Sequence, residues 1–269
     1  MKEFLSMKEF SEFSGVESTT LRYWDEIGLF EPDKRNLENN YRYYTPRQTV
    51  AINFIKVLSK LNVPLKAIGE IASVRTPESV MDLIDQQEKY INLELHRLRE
   101  AYAVIHTRRD LIKQGLRADT SKITVCEMDE QPYILGPPAN FNREGDFYEP
   151  FMRFCQAAKQ LRINLSFPIG GIHDNMLNFL AHPGQPDNFI SLDPTGNAGR
   201  KAGTYMLGHT RGYYGELGDL HERMKVFAEE NGLDFSGPVY SVYLLDEICL
   251  KDSSQFLAQV QIHVSKRRD

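Results

Sequence analysis

The chain is predicted to be multidomain: a small helical unit carrying a wing, then one long helix, then an internally duplicated α+β unit. Three patterns predict this. Residues 18–44 read as a short helix, a turn and a basic, aromatic-rich hairpin. Positions 84, 91, 98, 105 and 112 are all Ile or Leu, a heptad repeat without a break. Tyr133-Ile134-Leu135-Gly136 recurs as Tyr205-Met206-Leu207-Gly208.

In order, Ser6 caps a first helix from Met7 to about Ser14, with Met7, Phe10 and Phe13 on one face. Gly15 turns the chain into a second helix. Ser18 is its predicted N-cap, because its hydroxyl can accept an unpaired amide proton of the first turn. Leu21, Trp24 and Ile27 recur at helical spacing as an inner face, and Thr19, Thr20, Arg22 and Tyr23 form the outer one. Gly28 ends the helix. Asn39-Asn40 marks a turn, and Tyr41-Arg42-Tyr43-Tyr44 follows with strand-forming residues. Thr45-Pro46 opens a helix whose inner face reads as Val50, Phe54, Val57, Leu58 and Leu61, and Pro64 starts another with Leu65, Ile68 and Ile71. A short polar-faced helix followed by such a hairpin is what a winged helix-turn-helix needs: the helix enters the major groove and the hairpin follows the phosphates. Arg22, Tyr41 and Arg42 are the candidate phosphate contacts, and Thr19, Thr20 and Tyr23 lie nearer the base edges. Lys34, Arg35, Tyr43 and Lys60 complete the candidate DNA-binding set. Lys56, Lys60 and Lys66 read equally well as solvated charges.

Thr76-Pro77 caps the long helix, which runs to about Gln114. Ile84, Ile91, Leu98, Ile105 and Ile112 form its seam, with Val80, Leu95, Ala101 and Tyr102 alongside. Such a repeat predicts a coiled coil, here an antiparallel pair in a homodimer that sets two recognition helices a fixed distance apart. The seam is polar at Gln87, Glu94 and Arg108. A helix packed on its own domain is the competing reading. The domain limits are read as 1–75, 76–115 and 123–269, with 116–122 as a linker.

In the third segment each half of the repeat reads as strand, helix, then strands. Phe147, Phe151, Phe154, Ala158 and Leu161 mark one helix, and Leu217, Leu220, Met224 and Phe227 the other, with Met152 aligned to Met224. Residues 239–245 and 257–264 fit strands, and residues 183–203 read as the connection between halves. A duplicated unit predicts a groove between the halves. Aromatic side chains near the two repeat motifs make Tyr133, Phe141, Phe147, Tyr148, Tyr205, Tyr214 and Tyr243 candidates for lining such a groove, together with Ser241, Glu216 and Gln261. Ser241 and Tyr243 share a strand face that Tyr240 does not. Asp146, Glu149 and Glu216 are acids near the groove, and each also reads as solvated.

The net charge of −5 argues against general nucleic-acid binding, but residues 1–75 are net +1, 76–115 net −1 and the remainder net −5. Focused contacts are therefore expected at the N-terminal end. Cys126, Cys155 and Cys249 form no metal-ligand spacing and fit a reducing compartment. No metal and no cofactor are expected. His96 and His106 fall nearly on one helix face but lack a third ligand. There is no phosphate loop, nucleophile elbow or Cys-His signature, so an enzyme is not expected. No apolar run approaches the roughly 20 residues needed to cross a bilayer, and no secretory leader or membrane partner is expected.

Residues 5–72 resemble the DNA-binding domain of the MerR family. Gly15-Val16, the run Thr20-Leu21-Arg22-Tyr23-Trp24-Asp25-Glu26-Ile27-Gly28-Leu29, and Asn40-Tyr41-Arg42-Tyr43-Tyr44 carry the likeness. The family usually has a long side chain, commonly arginine, where this chain has Thr19, and glycine where it has Asn40. The third segment resembles the GyrI-like effector-binding domain of multidrug-binding MerR proteins, through Gly203-Thr204-Tyr205, Gly212-Tyr213-Tyr214, 237–243 and 260–264. Relatives commonly place a ligand-facing glutamate where this chain has Ser241. Another acid then takes that role, or ring faces hold the cation, or the ligand is not cationic. The resemblance implies a cytoplasmic homodimeric activator with promoter DNA, RNA polymerase holoenzyme and a hydrophobic, cationic, drug-like effector as partners. It would act by distorting a promoter with an overlong spacer. A protein-interaction module or a small-molecule hydrolase is the alternative for the third segment.

Overall fold

The computed structural model describes residues 2–61, 63–74, 76–141 and 147–267, leaving aside the side chains of 71–74. The chain divides into two compact units, Met1–His96 and Arg97–Asp269. Ile71 and Asp146, both named above, lie outside what is described of the side chains.

The first unit contains β1 (Leu5–Ser6), α1 (Met7–Ser14), α2 (Ser18–Glu26), β2 (Lys34–Arg35), β3 (Arg42–Tyr44), a 3-10 turn (Pro46–Gln48), α3 (Thr49–Lys60) and α4 (Leu65–Val74). The strands form an antiparallel sheet in the order β1-β3-β2. Ser6 caps α1 through a capping box: Glu9 N donates to Ser6 Oγ at 3.4 Å, and Ser6 N donates to Glu9 Oε2 at 2.8 Å. Gly15, at φ 67, and Asn40, at φ 55, occupy the left-handed turn conformation that these residue types tolerate best. Phe10, Phe30 and Tyr44 stack in parallel, with Phe10 and Tyr44 4.7 Å apart. This stack ties α1, the segment after α2 and the hairpin into one core with Leu21, Trp24, Ile52, Ile55 and Leu58. Burial pushes the Tyr44 hydroxyl up to about 12, with the nearby Asp25 carboxylate adding to the effect.

Several expected placements are corrected. Ser18 is the first residue of α2, preceded by Glu17, which makes no side-chain capping bond. Phe13 and Ile27 are exposed. On α3 the buried residues are Ile52, Ile55 and Leu58, whereas Val50, Phe54 and Val57 face outward. This helix is apolar on two faces, so periodicity alone could not choose between them. The Ile52 face is the one that meets Phe10 and Tyr44.

α5 (Pro77–Gly115) is a single 39-residue helix that belongs to both units. Leu83 joins the first core and Leu111 a core of the second. Between them Leu95, Leu98, Tyr102 and Ile105 are exposed.

The second unit continues with β4 (Thr124–Met128), β5 (Gln131–Pro138), α6 (Tyr148–Leu161), β6 (Ile169–His173), α7 (Met176–Ala181), β7 (Asn188–Ser191), β8 (Ala198–Arg200), β9 (Gly203–Arg211), α8 (Leu220–Glu230), β10 (Leu233–Leu245) and β11 (Leu257–Lys266). Eight antiparallel strands run β4-β9-β11-β10-β6-β7-β5-β8. The halves mirror one another: β9-β11-β10 meets β6-β7-β5 at the central β10–β6 pair, where Ser241 stands opposite Gly171. The glycine of each repeat motif has a packing reason. A Cβ at Gly136 would lie 2.5 Å from the Phe154 ring, and one at Gly208 would lie 2.6 Å from Leu220. Only a bare backbone lets each helix approach its strand so closely. By burial, Phe154 and Ala158 of α6 correspond to Met224 and Ala228 of α8, so the expected match of Met152 with Met224 is corrected. Leu161 is exposed. Residues 183–203 are not a plain connection but contain β7 and β8.

His173 in β6 is 1% exposed, and its Nε2 donates to the His182 carbonyl at 3.1 Å. Burial pushes its pKa below the ordinary 6.5, as it does for His209. The unfolded chain therefore binds protons that the folded one does not, so their contribution is complete above pH 6.5 and is lost as pH falls below it. The denaturation midpoint is expected to drop between pH 7.5 and 5.5, and to drop less in His173→Phe; an equal slope in the variant would assign the effect elsewhere.

Candidate functional site

In the first unit α2 presents Thr19, Arg22 and Tyr23 to solvent, with Thr20 half-buried beside them. Lys34, Tyr41 and Lys60 are exposed, and Tyr43 is half-buried. Lys34 sits over the Phe4 ring at 5.8 Å. The hairpin is clamped to α2 by Asp25, whose side chain is 1% exposed and accepts from Arg42 Nε at 2.5 Å and from Arg35 Nη2. Arg42, read from sequence as a phosphate contact, has its side chain only 18% exposed. Its first task is to position the hairpin, because a buried carboxylate is tolerated only when paired. Asp25 itself was not singled out by sequence reasoning. The signal available was its place, one residue beyond the apolar Leu21–Trp24 face, where a charge is unexpected.

The second unit holds a cavity of about 410 Å³ on one face of the central β10–β6 pair, within the range that takes drug-sized molecules. Its floor is Gly170, Gly171, Ser241 and Tyr243; α6 contributes Tyr148, Phe151 and Cys155. Phe189 of β7 and the 213–217 loop close the sides. Gly171 must lack a side chain, since a Cβ there would lie 2.8 Å from Pro186 and 2.9 Å from Ser241 Oγ. Tyr214 stacks on Phe147 at 6.0 Å and meets the edge of Tyr243 at 4.6 Å. Phe189 stands edge-on to Phe147 and Phe151 at 5.5 and 5.6 Å. Tyr243 is locked in place: its hydroxyl donates to the Tyr213 carbonyl at 2.8 Å and accepts from Gly215 N at 3.0 Å. The acids on the cavity wall are Asp246 and Glu247. The Tyr214 hydroxyl donates to Glu247 Oε2, and Tyr214 is pushed to higher pKa by burial first and by that carboxylate second. Arg108 Nη1 donates to Asp246 Oδ2 at 3.2 Å.

Phe147, Tyr148, Tyr214, Ser241 and Tyr243 are thus gathered on one cavity, and the other ligand candidates are not. Tyr133 is buried against Tyr240, 6.0 Å away on the opposite sheet face. Tyr205 is buried under Arg200, and its hydroxyl donates to the Lys201 carbonyl. Gln261 is buried in a polar chain with Gln259. All three follow from strand alternation, which turns their side chains away from the cavity face. Phe141 packs behind Phe147 rather than on the wall. Glu216 is exposed, and its carboxylate accepts from Tyr213 N at 3.0 Å within the turn; the helix expected to carry Leu217 begins only at Leu220. Sequence reasoning missed Arg108, Phe189, Asp246 and Glu247 as cavity residues. Arg108 had left one signal, as a charge interrupting the heptad seam. Among the described residues no cluster of three or more metal-ligating side chains occurs, and no helix is long and apolar enough to cross a membrane.

A helix-turn-helix unit of this kind defines a DNA-binding transcription regulator. Residues 5–74 match the MerR HTH family of regulatory proteins. The chain is 26% identical to the multidrug-efflux transporter 2 regulator of Bacillus subtilis (strain 168), over 99% of this chain and 98% of that one. It is 31% identical to transcriptional regulator BrlR of Pseudomonas aeruginosa over 36% of this chain and 34% of that one. These relatives are named as regulators, not enzymes. The solved EcmrR-DNA complex aligns over 97% of this chain and 100% of that one at 17% identity, with a TM-score of 0.38.

Proposed function

We infer that the chain is a homodimeric, ligand-responsive activator whose second unit binds a hydrophobic aromatic cation. What carries this reading is the 410 Å³ aromatic cavity with Glu247 on its wall. Ring faces attract a soft cation by ~0.5–2 kcal/mol each and tolerate varied shapes. Glu247 supplies the carboxylate that Ser241 does not, held in place by a neutral phenol rather than by a cation. The test is calorimetric titration of the full chain with an aromatic cation and its neutral isostere. Preference for the cation is expected; binding of neither would remove the ligand-sensing reading and favour a protein-interaction role for the second unit.

Within the first unit, residues 1–75 read as a winged helix-turn-helix, with α2 in the major groove and the β2–β3 hairpin on the phosphates. Residues 76–115 act as the dimerisation helix and residues 123–269 as a GyrI-like effector domain. Two such dimer-related helices would sit on a promoter with an overlong spacer, where bending of ~1–6 kcal/mol realigns it for RNA polymerase holoenzyme. The ligand need only favour the distorting conformation. The exposed row Leu95, Leu98, Tyr102 and Ile105 on α5 supports an antiparallel coiled coil. The double variant Leu98→Asp, Ile105→Asp is expected to sediment as a monomer and to lose operator binding. A variant that stays dimeric would place the interface elsewhere.

A further inference from the structure

We propose that Arg108 is a specificity-determining residue of the cavity: by neutralising Asp246, it restricts the cavity to ligands carrying a single positive charge. The inference rests on the reading of the cavity as a site for aromatic cations.

Two carboxylates and one guanidinium are present among the described lining residues, which leaves one net negative charge. The neighbouring acids are not equivalent. Both oxygens of Asp246 are engaged by the protein itself. Oδ2 accepts from Arg108 Nη1 at 3.2 Å, and Oδ1 accepts from Ile248 N at 3.1 Å. Arg108 is held from a second side, because Nη2 donates to the Ser166 carbonyl at 3.3 Å. The side chains of the pair are 27% and 19% exposed, so solvent and salt screen it less than they screen a surface pair. Glu247 instead accepts from the uncharged Tyr214 hydroxyl, and among the described residues it pairs with no cation.

A monocation beside Glu247 therefore brings the wall to neutrality. A dication leaves one excess positive charge, unless it takes Asp246 from Arg108. That exchange strands a guanidinium that is largely withdrawn from water, which is unfavourable. The second acid of the cavity is thus occupied by a built-in cation, and the device rejects the wrong ligand by repulsion as much as it attracts the right one. α5 carries this cation, so Arg108 is supplied by the helix that interrupts its own apolar seam to do so.

The test is calorimetric titration of the full-length protein with two ligands that share a two-ring skeleton, N-methyl-4-phenylpyridinium with one charge and N,N′-dimethyl-4,4′-bipyridinium with two. The wild-type chain is expected to prefer the monocation by about tenfold, the scale of one uncompensated unit charge about 12 Å away at an effective dielectric near 20. Arg108→Met should shift the ratio of affinities toward the dication by tenfold or more, while Arg108→Lys keeps the wild-type ratio. Asp246→Asn leaves the guanidinium uncompensated and should weaken the monocation about tenfold and the dication further; this arm decides the matter if Arg108→Met does not fold. Wild-type affinity ratios in both Arg108→Met and Asp246→Asn would overturn the proposal while leaving the cavity reading intact. Failure of the wild-type chain to bind either ligand would overturn both.

Discussion

Asp25→Ala is expected to cost the first unit about 2–3 kcal/mol and to lower operator affinity at least a hundredfold. Losing one member of a buried ion pair typically costs ~3–5 kcal/mol. The lower figure applies because Arg35 keeps a 41% exposed side chain and can return to water, whereas Arg42, at 18%, cannot do so as readily. The effect on binding is the larger one. Asp25 is the anchor through which α2 holds both strands of the hairpin, so its loss frees the hairpin from the helix it must act beside. Arg22→Ala, by contrast, removes an exposed charge that no core depends on, and should weaken binding uniformly across sequences with a shallower salt slope. Urea denaturation and fluorescence anisotropy at two salt concentrations distinguish the variants. An Asp25→Ala protein with an unchanged urea midpoint would show that the clamp carries no stability. One that bound DNA normally would show that the hairpin is placed by the Phe10–Tyr44–Phe30 stack alone.

The first unit was legible in the sequence because its signals are local. Ser6 with Glu9, Gly15, and Asn39-Asn40 each prescribe a cap or turn within a few residues. Besides the Ser18 cap and the exposed Phe13 and Ile27, what failed there was the choice between two apolar faces of α3. That choice is made by the core that contains Phe10, which is distant in sequence, and Tyr44, which precedes the helix on another element. The same cause hid the pairing of Arg42 with Asp25. The partner lies 17 residues earlier, and ion pairs across elements leave no periodic trace.

In the second unit the repeat revealed the duplication, because the motif glycines and the helices that press on them recur in both halves. The cavity was legible only in part. Alternation placed Ser241 and Tyr243 on one face and Tyr240 on the other, and the structure puts them there. Tyr133 and Tyr205 belong to the repeated motif itself, which made them look functional. They are core residues of the sheet face opposite the cavity, and repetition reports packing as readily as binding. Asp246 and Glu247 escaped because the strand ends at Leu245, and beyond a strand end the alternation that assigns side chains to faces no longer applies.

Glu247→Gln is the second large effect expected: about a thirtyfold loss of affinity for an aromatic cation, with a neutral isostere of the same shape unaffected. At 4 Å and an effective dielectric of 20 the bare attraction is about 4 kcal/mol. Desolvation of the ligand and the exposed setting of Glu247 reduce it to ~2 kcal/mol, which corresponds to the thirtyfold figure. Glutamine preserves the shape and still accepts from the Tyr214 hydroxyl, so the ring that stacks on Phe147 keeps its place. Tyr214 provides an independent readout. Its pKa is raised by burial and, next, by the Glu247 carboxylate, so removing that charge should let the phenol ionise at lower pH in an ultraviolet titration. A fall in the phenol pKa without loss of cation affinity would mean that Glu247 is on the wall but the rings alone hold the ligand. Loss of affinity for cation and isostere alike would mean that the substitution had disturbed the cavity rather than its charge. Ser241→Glu restores a carboxylate from the floor of the same cavity, and in the Glu247→Gln background it is expected to recover cation affinity, because the chemistry requires a negative charge among the rings and not a particular strand to supply it.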